Sequence, residues 1–263
     1  MATSPYALFF RGKDEVLLRI DDSSPLILST APVAARLIPK ASLSYAGPAL
    51  AHAAYRLQNN ELAPTGYRFA HPRELLVSPA PAAADLARDV FGALGFLNWL
   101  SRHRYCGCCA APLRPHPVEP ALSCPACSRL FYPQMSPAII VRVTRPDDGR
   151  ILLARHRKRN QDVWTLLAGF VNLGENADAC VHREVREETG LSLASLRLLD
   201  TAYWPFPNSF MLAYLATAAP PYEPLHPQPE ELLDAGWFSP DDLPSILPPG
   251  SLAHRLIHLP ATP

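Results

Sequence analysis

Glu184, Glu187 and Glu188 stand three and four residues apart in the segment GFVNLGENADACVHREVREETGL, Gly169 to Leu191. On a helix that spacing projects three carboxylates from one face. Three such charges repel each other, and a hard divalent cation relieves the repulsion. Mg2+ and Mn2+ take oxygen ligands and bind substrate phosphates at the same time, so phosphate chemistry is the natural use of such a face. The same segment carries Glu175 in the stretch before the helix and Arg183 beside Glu184. Arg183 is placed to pair with a nearby carboxylate and hold that stretch.

The elements that must position these groups are legible around them. Ala177, Val181 and Val185 recur every four residues, with Cys180 beside them. This predicts a helix over 177–189 with a buried stripe, Cys180 serving as packing. Gly190 is suited to end it in a left-handed turn. Upstream, AIIVRVTR (138–145) and RILLARH (150–156) flank Pro146-Asp147-Asp148-Gly149 and predict a hairpin. Residues 195–217 read as further strands and 251–258 as a final helix. Strands, then a helix, then strands again predict a mixed α/β sandwich rather than a parallel doubly wound sheet.

A second constellation lies at Cys106, Cys109, Cys124 and Cys127. Two CxxC knuckles are separated by fourteen residues. Four thiolates so spaced suit one closed, structural tetrahedral Zn2+ site. Cys108 falls between two of these ligands and is expected to point away from the metal. Arg102, His103, Arg104, Arg114, His116 and Arg129 give the ribbon a mild basic character without a dense patch.

Residues 1 to about 100 show strand-like stretches at 6–10, 15–20 and 24–29. A helix is expected over 80–101, with Ala84, Leu86, Val90, Leu94 and Leu97 among its apolar positions. No catalytic constellation is visible there. The expected division is 1–100, 101–133 and 134–263. Lys+Arg and Asp+Glu both number 24, so no global field draws the chain to nucleic acid or an anionic membrane. No apolar run reaches the roughly 18 residues of a membrane span. The N-terminus lacks the basic start and apolar core of a signal peptide. A cytoplasmic protein is the expectation, with the six cysteines as thiols or metal ligands.

Gly169–Leu191 matches every specified position of G-x5-E-x7-R-E-U-x-E-E-x-G-U, U being aliphatic. It resembles the Nudix box of enzymes that hydrolyse a nucleoside diphosphate linked to another group. Downstream comes Tyr203-Trp204-Pro205-Phe206-Pro207-Asn208-Ser209-Phe210-Met211. Its two prolines are expected to hold the backbone extended and rigid, with aromatic faces suited to a base or nicotinamide ring. A four-cysteine ribbon, this box and a following WPFPxS resemble the NADH pyrophosphatase subfamily over roughly residues 100–260. Tyr132-Pro133, Glu231-Leu232-Leu233 with Trp237, and Pro248-Pro249-Gly250 belong to the same likeness. The resemblance implies a Nudix α/β/α sandwich, preceded by the ribbon and a degenerate Nudix-like N-terminal domain.

It implies that two or three Mg2+ or Mn2+ ions are held by Glu184, Glu187, Glu188 and Glu231. Substrate would be bound by Phe170, Trp204, Ser209, Met211, Tyr132 and the backbone of Ala253. The implied reaction splits NAD(H) into nicotinamide mononucleotide and AMP. The same bond is open in NAD-capped RNA, and a homodimer is implied as well. The residue accepting the proton from water is left among Glu187, Glu188 and Glu231. Thr201-Ala202-Tyr203 stands where that subfamily has Ser-Gln-Pro. This leaves room for another substrate, such as ADP-ribose, a diadenosine polyphosphate or an oxidised nucleotide. A non-catalytic nucleotide- or RNA-binding protein is the remaining alternative, and the intact glutamates argue against it.

Overall fold

A computed structural model describes residues 7–20, 31–47, 49–78, 83–157 and 162–260. Two compact units emerge. One runs to Met135 and includes Pro205–Asn208; the other comprises Ser136–Trp204 with Ser209 onward.

In the first unit, β1 (Ala7–Arg11) and β2 (Glu15–Arg19) appear where two strands were expected, while Tyr6 and the stretch 24–29 lie outside the described residues. They are followed by α1 (Ala31–Leu37), β3 (Ala41–Tyr45), β4 (Ala53–Leu57) and β5 (Tyr67–Ala70). The sheet order is β3-β4-β1-β2-β5, with β1 and β4 parallel. Helix α2 (Ala83–Arg102) buries Leu86, Val90, Leu94 and Leu97, whereas Ala84 is exposed. The ribbon that follows has its own small sheet of β6 (Arg114–Pro115), β7 (Leu122–Ser123) and β8 (Leu130–Phe131).

The second unit contains β9 (Ser136–Thr144), β10 (Ile151–His156), β11 (Leu167–Phe170), α3 (Ala177–Thr189), β12 (Ser192–Trp204), β13 (Ser209–Ala219), β14 (Leu232–Phe238) and α4 (Leu252–Ile257). Its sheet runs β12-β13-β9-β10-β14, with β11 also paired to β9. β13 lies parallel to β9 and the other pairs are antiparallel, so the sheet is mixed.

Alternation along β9 sorts the core onto two faces. Ile139, Val141 and Val143 pack with Cys180, Val181 and Val185 of α3. Ile140 packs with Ala253, Leu256 and Ile257 of α4. The result is the expected α/β/α sandwich. Arg142 shares the α4 face and is 3% exposed. Its Nη1 donates to the carbonyls of Leu256 and Leu259 at 3.4 and 2.6 Å. A cation suits a helix C-terminus, although burial lowers its pKa.

Two expectations need correction. The β9–β10 hairpin closes as predicted at its turn, where Arg145 N donates to Arg150 O at 2.8 Å. Beyond the Ile151–Thr144 pair, however, the strands part. β11 pairs with Ala138–Val141 of β9, and Thr165 bridges to Ala154 of β10. The 165–170 segment thus takes the ladder positions that a longer hairpin would fill. The second correction concerns Trp204 to Ser209. These two residues pair across β12 and β13, and Pro205–Asn208 form the turn between them rather than an extended rod. Proline fixes φ near −65°, which suits a turn as well as an extended chain. Phe206 from this turn lies 4.7 Å from the ring of His71 and 6.0 Å from that of Phe91.

Helix α3 has the predicted limits. Asn176 caps it, its side chain accepting from Ala179 N at 2.8 Å. Gly190 ends it at φ +78°, and a Cβ there would also press on His226 at 3.2 Å. Gly190→Ala is expected to cost roughly 1–2 kcal/mol of stability, the penalty of placing an L side chain in the left-handed region. Urea denaturation measures it, and an unchanged midpoint would contradict this reading of the helix end.

Candidate functional site

The stretch before α3 folds back on the helix through one guanidinium. Arg183 Nε and Nη2 donate to Glu175 Oε1 and Oε2 at 2.8 and 2.9 Å. Nη1 donates to Glu184 Oε1 at 2.8 Å and to Glu187 Oε2 at 3.0 Å. Nη2 also reaches Phe170 O at 3.0 Å. This last carbonyl lies within 3.4 Å of the Cys180 thiol as well. Glu175 Oε2 accepts from Asn172 N at 3.0 Å, which tightens the turn. The Arg183 hydrogen bonds hold the Glu175 carboxyl down at about 2, with Asn172 N–H assisting. The Arg183 pKa is raised in return.

The three helix carboxylates are not equivalent. Glu184 is half-buried, and burial pushes its pKa up against the opposing pull of Arg183. Repulsion from Glu187 and Glu231 pushes the same way. Glu231, far away in sequence, is thereby within electrostatic reach of the helix. Glu187 is exposed, whereas Glu188 is 1% exposed and lies with Val181 and Val185 on the inner side. Burial therefore grades across the expected face, because Glu188 falls on the edge of the apolar stripe. Gly169 explains its own identity: a Cβ there would stand 2.0 Å from the Glu184 carboxyl.

The loop before β14 completes the group. His226 N donates to Thr189 O at 2.9 Å and Gln228 N to Glu188 O at 3.0 Å. These bonds satisfy carbonyls that the end of α3 leaves open and set Glu231 beside the helix. All donors here are carboxylate oxygens, which suits a hard divalent cation. Among the described residues, however, the glutamate oxygens are not gathered as tightly as the cysteine sulfurs, and Arg183 occupies Glu184 and Glu187.

Register brings several expected pocket residues to one end of the sheet. Phe170 pairs with Ala138, which pairs in turn with Met211. Trp204 pairs with Ser209, and Ser209 with Ser136. Phe170 is 52% exposed although large and apolar. Trp204 and Met211 are half-buried and Ser209 is buried. Ala253 is buried in the α4 core cluster. Tyr132, 48% exposed, lies in the other unit.

In the ribbon, Cys106, Cys109, Cys124 and Cys127 place their sulfurs within 4.8 Å of one another. Cys106–Cys127 and Cys109–Cys124 are 3.6 and 3.4 Å apart. A tetrahedral zinc with bonds of about 2.3 Å spaces its sulfurs by about 3.8 Å, so the cluster fits that ion. The knuckles repeat each other. Ala110 N donates to Cys106 O and Ser128 N to Cys124 O, both at 2.9 Å, and both residues adopt positive φ. The Cys108 N–H lowers the Cys106 pKa to about 6. The Cys108 side chain itself is exposed and outside the cluster.

Asn176 and Arg157 escaped the sequence reading. Asn before an apolar-periodic run is a helix-start signal that could have found the first. Nothing local marks Arg157, whose bonds to Pro229 and Glu231 span more than seventy residues.

Residues 134–258 match the NUDIX domain model. Over 175 residues the chain is 42% identical to the NAD-capped RNA hydrolase NudC of Stutzerimonas stutzeri, covering 65% of this chain and 62% of that protein. It is 44% identical over 157 residues to the protein of the same name from Citrobacter koseri, covering 59% of each. The chain thus spans less than two thirds of the length of these curated relatives. Among solved structures it is similar to a NUDIX hydrolase from Nitrosomonas europaea, at 24% identity and a TM-score of 0.46, covering 59% of this chain and 86% of that one.

Two outcomes follow from the geometry. Gly169→Ala must displace the Glu184 carboxyl, and divalent-cation binding measured by calorimetry is expected to weaken at least about 10-fold; unchanged binding would contradict the close approach. The folded pKa of Glu175 is depressed, so its contribution to stability is present above the unfolded value and is lost as pH falls through about 2. The difference in Tm between the protein and Glu175→Gln should be constant from about pH 6 to about pH 8, begin to narrow below about pH 5 and close only as pH approaches about 2. A difference independent of pH would contradict it.

Proposed function

We propose that this chain, whose residues 134–258 are a NUDIX domain, hydrolyses the pyrophosphate bond of NAD(H). The products are nicotinamide mononucleotide, or its reduced form, and AMP. The observation that carries this reading is the complete box held as one bonded unit by Arg183, with Glu184 seated over Gly169. The name borne by the relatives, NAD-capped RNA hydrolase, supports NAD as the reacting group. The same bond would be cut at the 5′ end of an NAD-capped RNA, since RNA only extends the adenosine side.

Glu184, Glu187, Glu188 and Glu231 are the residues assigned to hold two or three Mg2+ or Mn2+ ions. Such cations offset phosphate charge and make the attacking water more acidic. Arg183 and Glu175 hold the loop and do not touch the reacting atoms. Phe170 is assigned to stack on the nicotinamide, because a large exposed ring beside the box has a face to offer. Trp204, Ser209 and Met211 line the same end of the sheet. The backbone of Ala253 and the side chain of Tyr132 are assigned to the substrate as well. Of the groups able to take the proton from water, Glu231 and Glu187 are exposed and Glu188 is buried, which favours the first two.

One Zn2+ in the ribbon is assigned a structural role, because four thiolates leave no open position. A homodimer in the cytoplasm and the division 1–100, 101–133 and 134–263 complete the reading.

The test is chromatography of products after incubation with NADH and Mn2+, beside a Glu187→Gln control. Reduced nicotinamide mononucleotide plus AMP, reduced at least about 100-fold in the control, is the expected result. Intact NADH with folded, zinc-loaded protein would point to another diphosphate substrate and to Thr201-Ala202-Tyr203 as the altered pocket.

A further inference from the structure

We infer that Arg157 is the positioning residue for Glu231, clamping the segment that carries this carboxylate to the end of β10. The inference rests on the reading above that Glu231 serves the cation site.

Glu231 is the site's one carboxylate outside α3 and the stretch leading into it. It sits at the end of the 226–231 loop, is exposed, and has no helix to fix it. What holds it is a short set of bonds. Glu231 N and Leu232 N both donate to Gln228 O, at 3.1 and 2.8 Å, closing a turn. His226 N and Gln228 N tie the front of this turn to α3. Among the described residues, the far side is tied through Arg157. Arg157 N donates to Glu231 O at 2.8 Å, and Arg157 Nε donates to Pro229 O at 2.8 Å. The two bonds grip either side of Glu230.

The sequence builds this grip through an irregularity in the sheet. β10 and β14 pair regularly from Ile151–Phe238 to Arg155–Asp234, and then the register shifts so that His156 faces Leu232. The shift turns the chain at Arg157 toward the loop. A side chain with directed N–H groups on a long stem can then reach a proline carbonyl that has no strand partner. Arg157 thus acts at one remove, through the backbone at 229–231, and limits where the Glu231 carboxylate can go. Residues supporting a ligand in this way commonly change metal affinity by about 10-fold or more when removed.

The test uses the zinc-loaded full chain and reads Mn2+ binding without substrate, from the EPR signal of free Mn2+. Arg157→Ala, Glu231→Gln and the double variant are compared, with amide hydrogen exchange at 229–232 as a second readout. Arg157→Ala removes the Pro229 bond and leaves the backbone bond. We expect Mn2+ affinity to fall on the order of 10-fold and exchange at 229–232 to quicken, with partial recovery in Arg157→Lys. In the Glu231→Gln background, Arg157→Ala should add no further loss. A merely structural role would lower affinity equally in both backgrounds and would overturn the inference. So would unchanged affinity in Arg157→Ala when Glu231→Gln binds more weakly. Wild-type affinity in Glu231→Gln would instead remove Glu231 from the site, and with it the reading on which the inference stands.

Discussion

The guanidinium of Arg183 is the constraint on which the rest of the site depends. Its donors serve Glu175, Glu184, Glu187 and the Phe170 carbonyl. Without it, the loop would have no charge-assisted tie to the helix, and the carboxylates would face only each other. Charge-assisted, bidentate pairs of this kind are the strong members of their class. Each other part of the box then has a plain physical reason. Gly169 makes room for Glu184, Asn176 starts the helix and Gly190 ends it. The loop at 226–231 uses the open carbonyls of that same helix end to bring in Glu231.

The sandwich supplies what this cluster cannot supply for itself. Thirteen residues of helix would be marginal alone in water. α3 holds because Cys180, Val181 and Val185 are buried against the sheet. Tyr214 of β13 adds a 2.7 Å hydrogen bond to Asp178 in the first turn. The same central strand, β9, carries the register that sets Phe170 beside Met211 across Ala138. Carboxylates and aromatic ring are therefore fixed by one strand's two faces and edges. The ribbon reaches its order by a different route, with paired knuckles whose backbone N–H groups surround the sulfurs.

How legible this was in the sequence depended on the range of the interaction. Helix α3, its glycine terminator and the four-cysteine cluster are local patterns, and they are found where the spacing puts them. The pairing of Arg183 with a carboxylate was also readable, though not that one guanidinium would serve three. β3, β4 and β5 went unread because they are only five, five and four residues long; ASLSY does alternate apolar and polar positions, but over too short a run to stand out. That Glu188 is buried was not readable, because three carboxylates at helical spacing look alike until the apolar stripe is drawn beside them. The turn at Pro205–Asn208 joins residues only five apart, and proline fits a turn as well as an extended chain, so the local residues allowed both readings. The insertion of 165–170 beside β9 and the Arg157 clamp depend on partners distant in the chain. No local pattern encodes them.

The central claim is that loop, helix and carboxylates are one bonded unit through Arg183. A double-variant cycle of Arg183→Met and Glu175→Gln, followed by chemical denaturation at neutral pH, tests it most directly. Coupling between the two side chains predicts that the double variant is about as stable as the less stable single one. Strictly additive losses would mean that the pair does not hold the loop to the helix, and the account of the site would fail at its base.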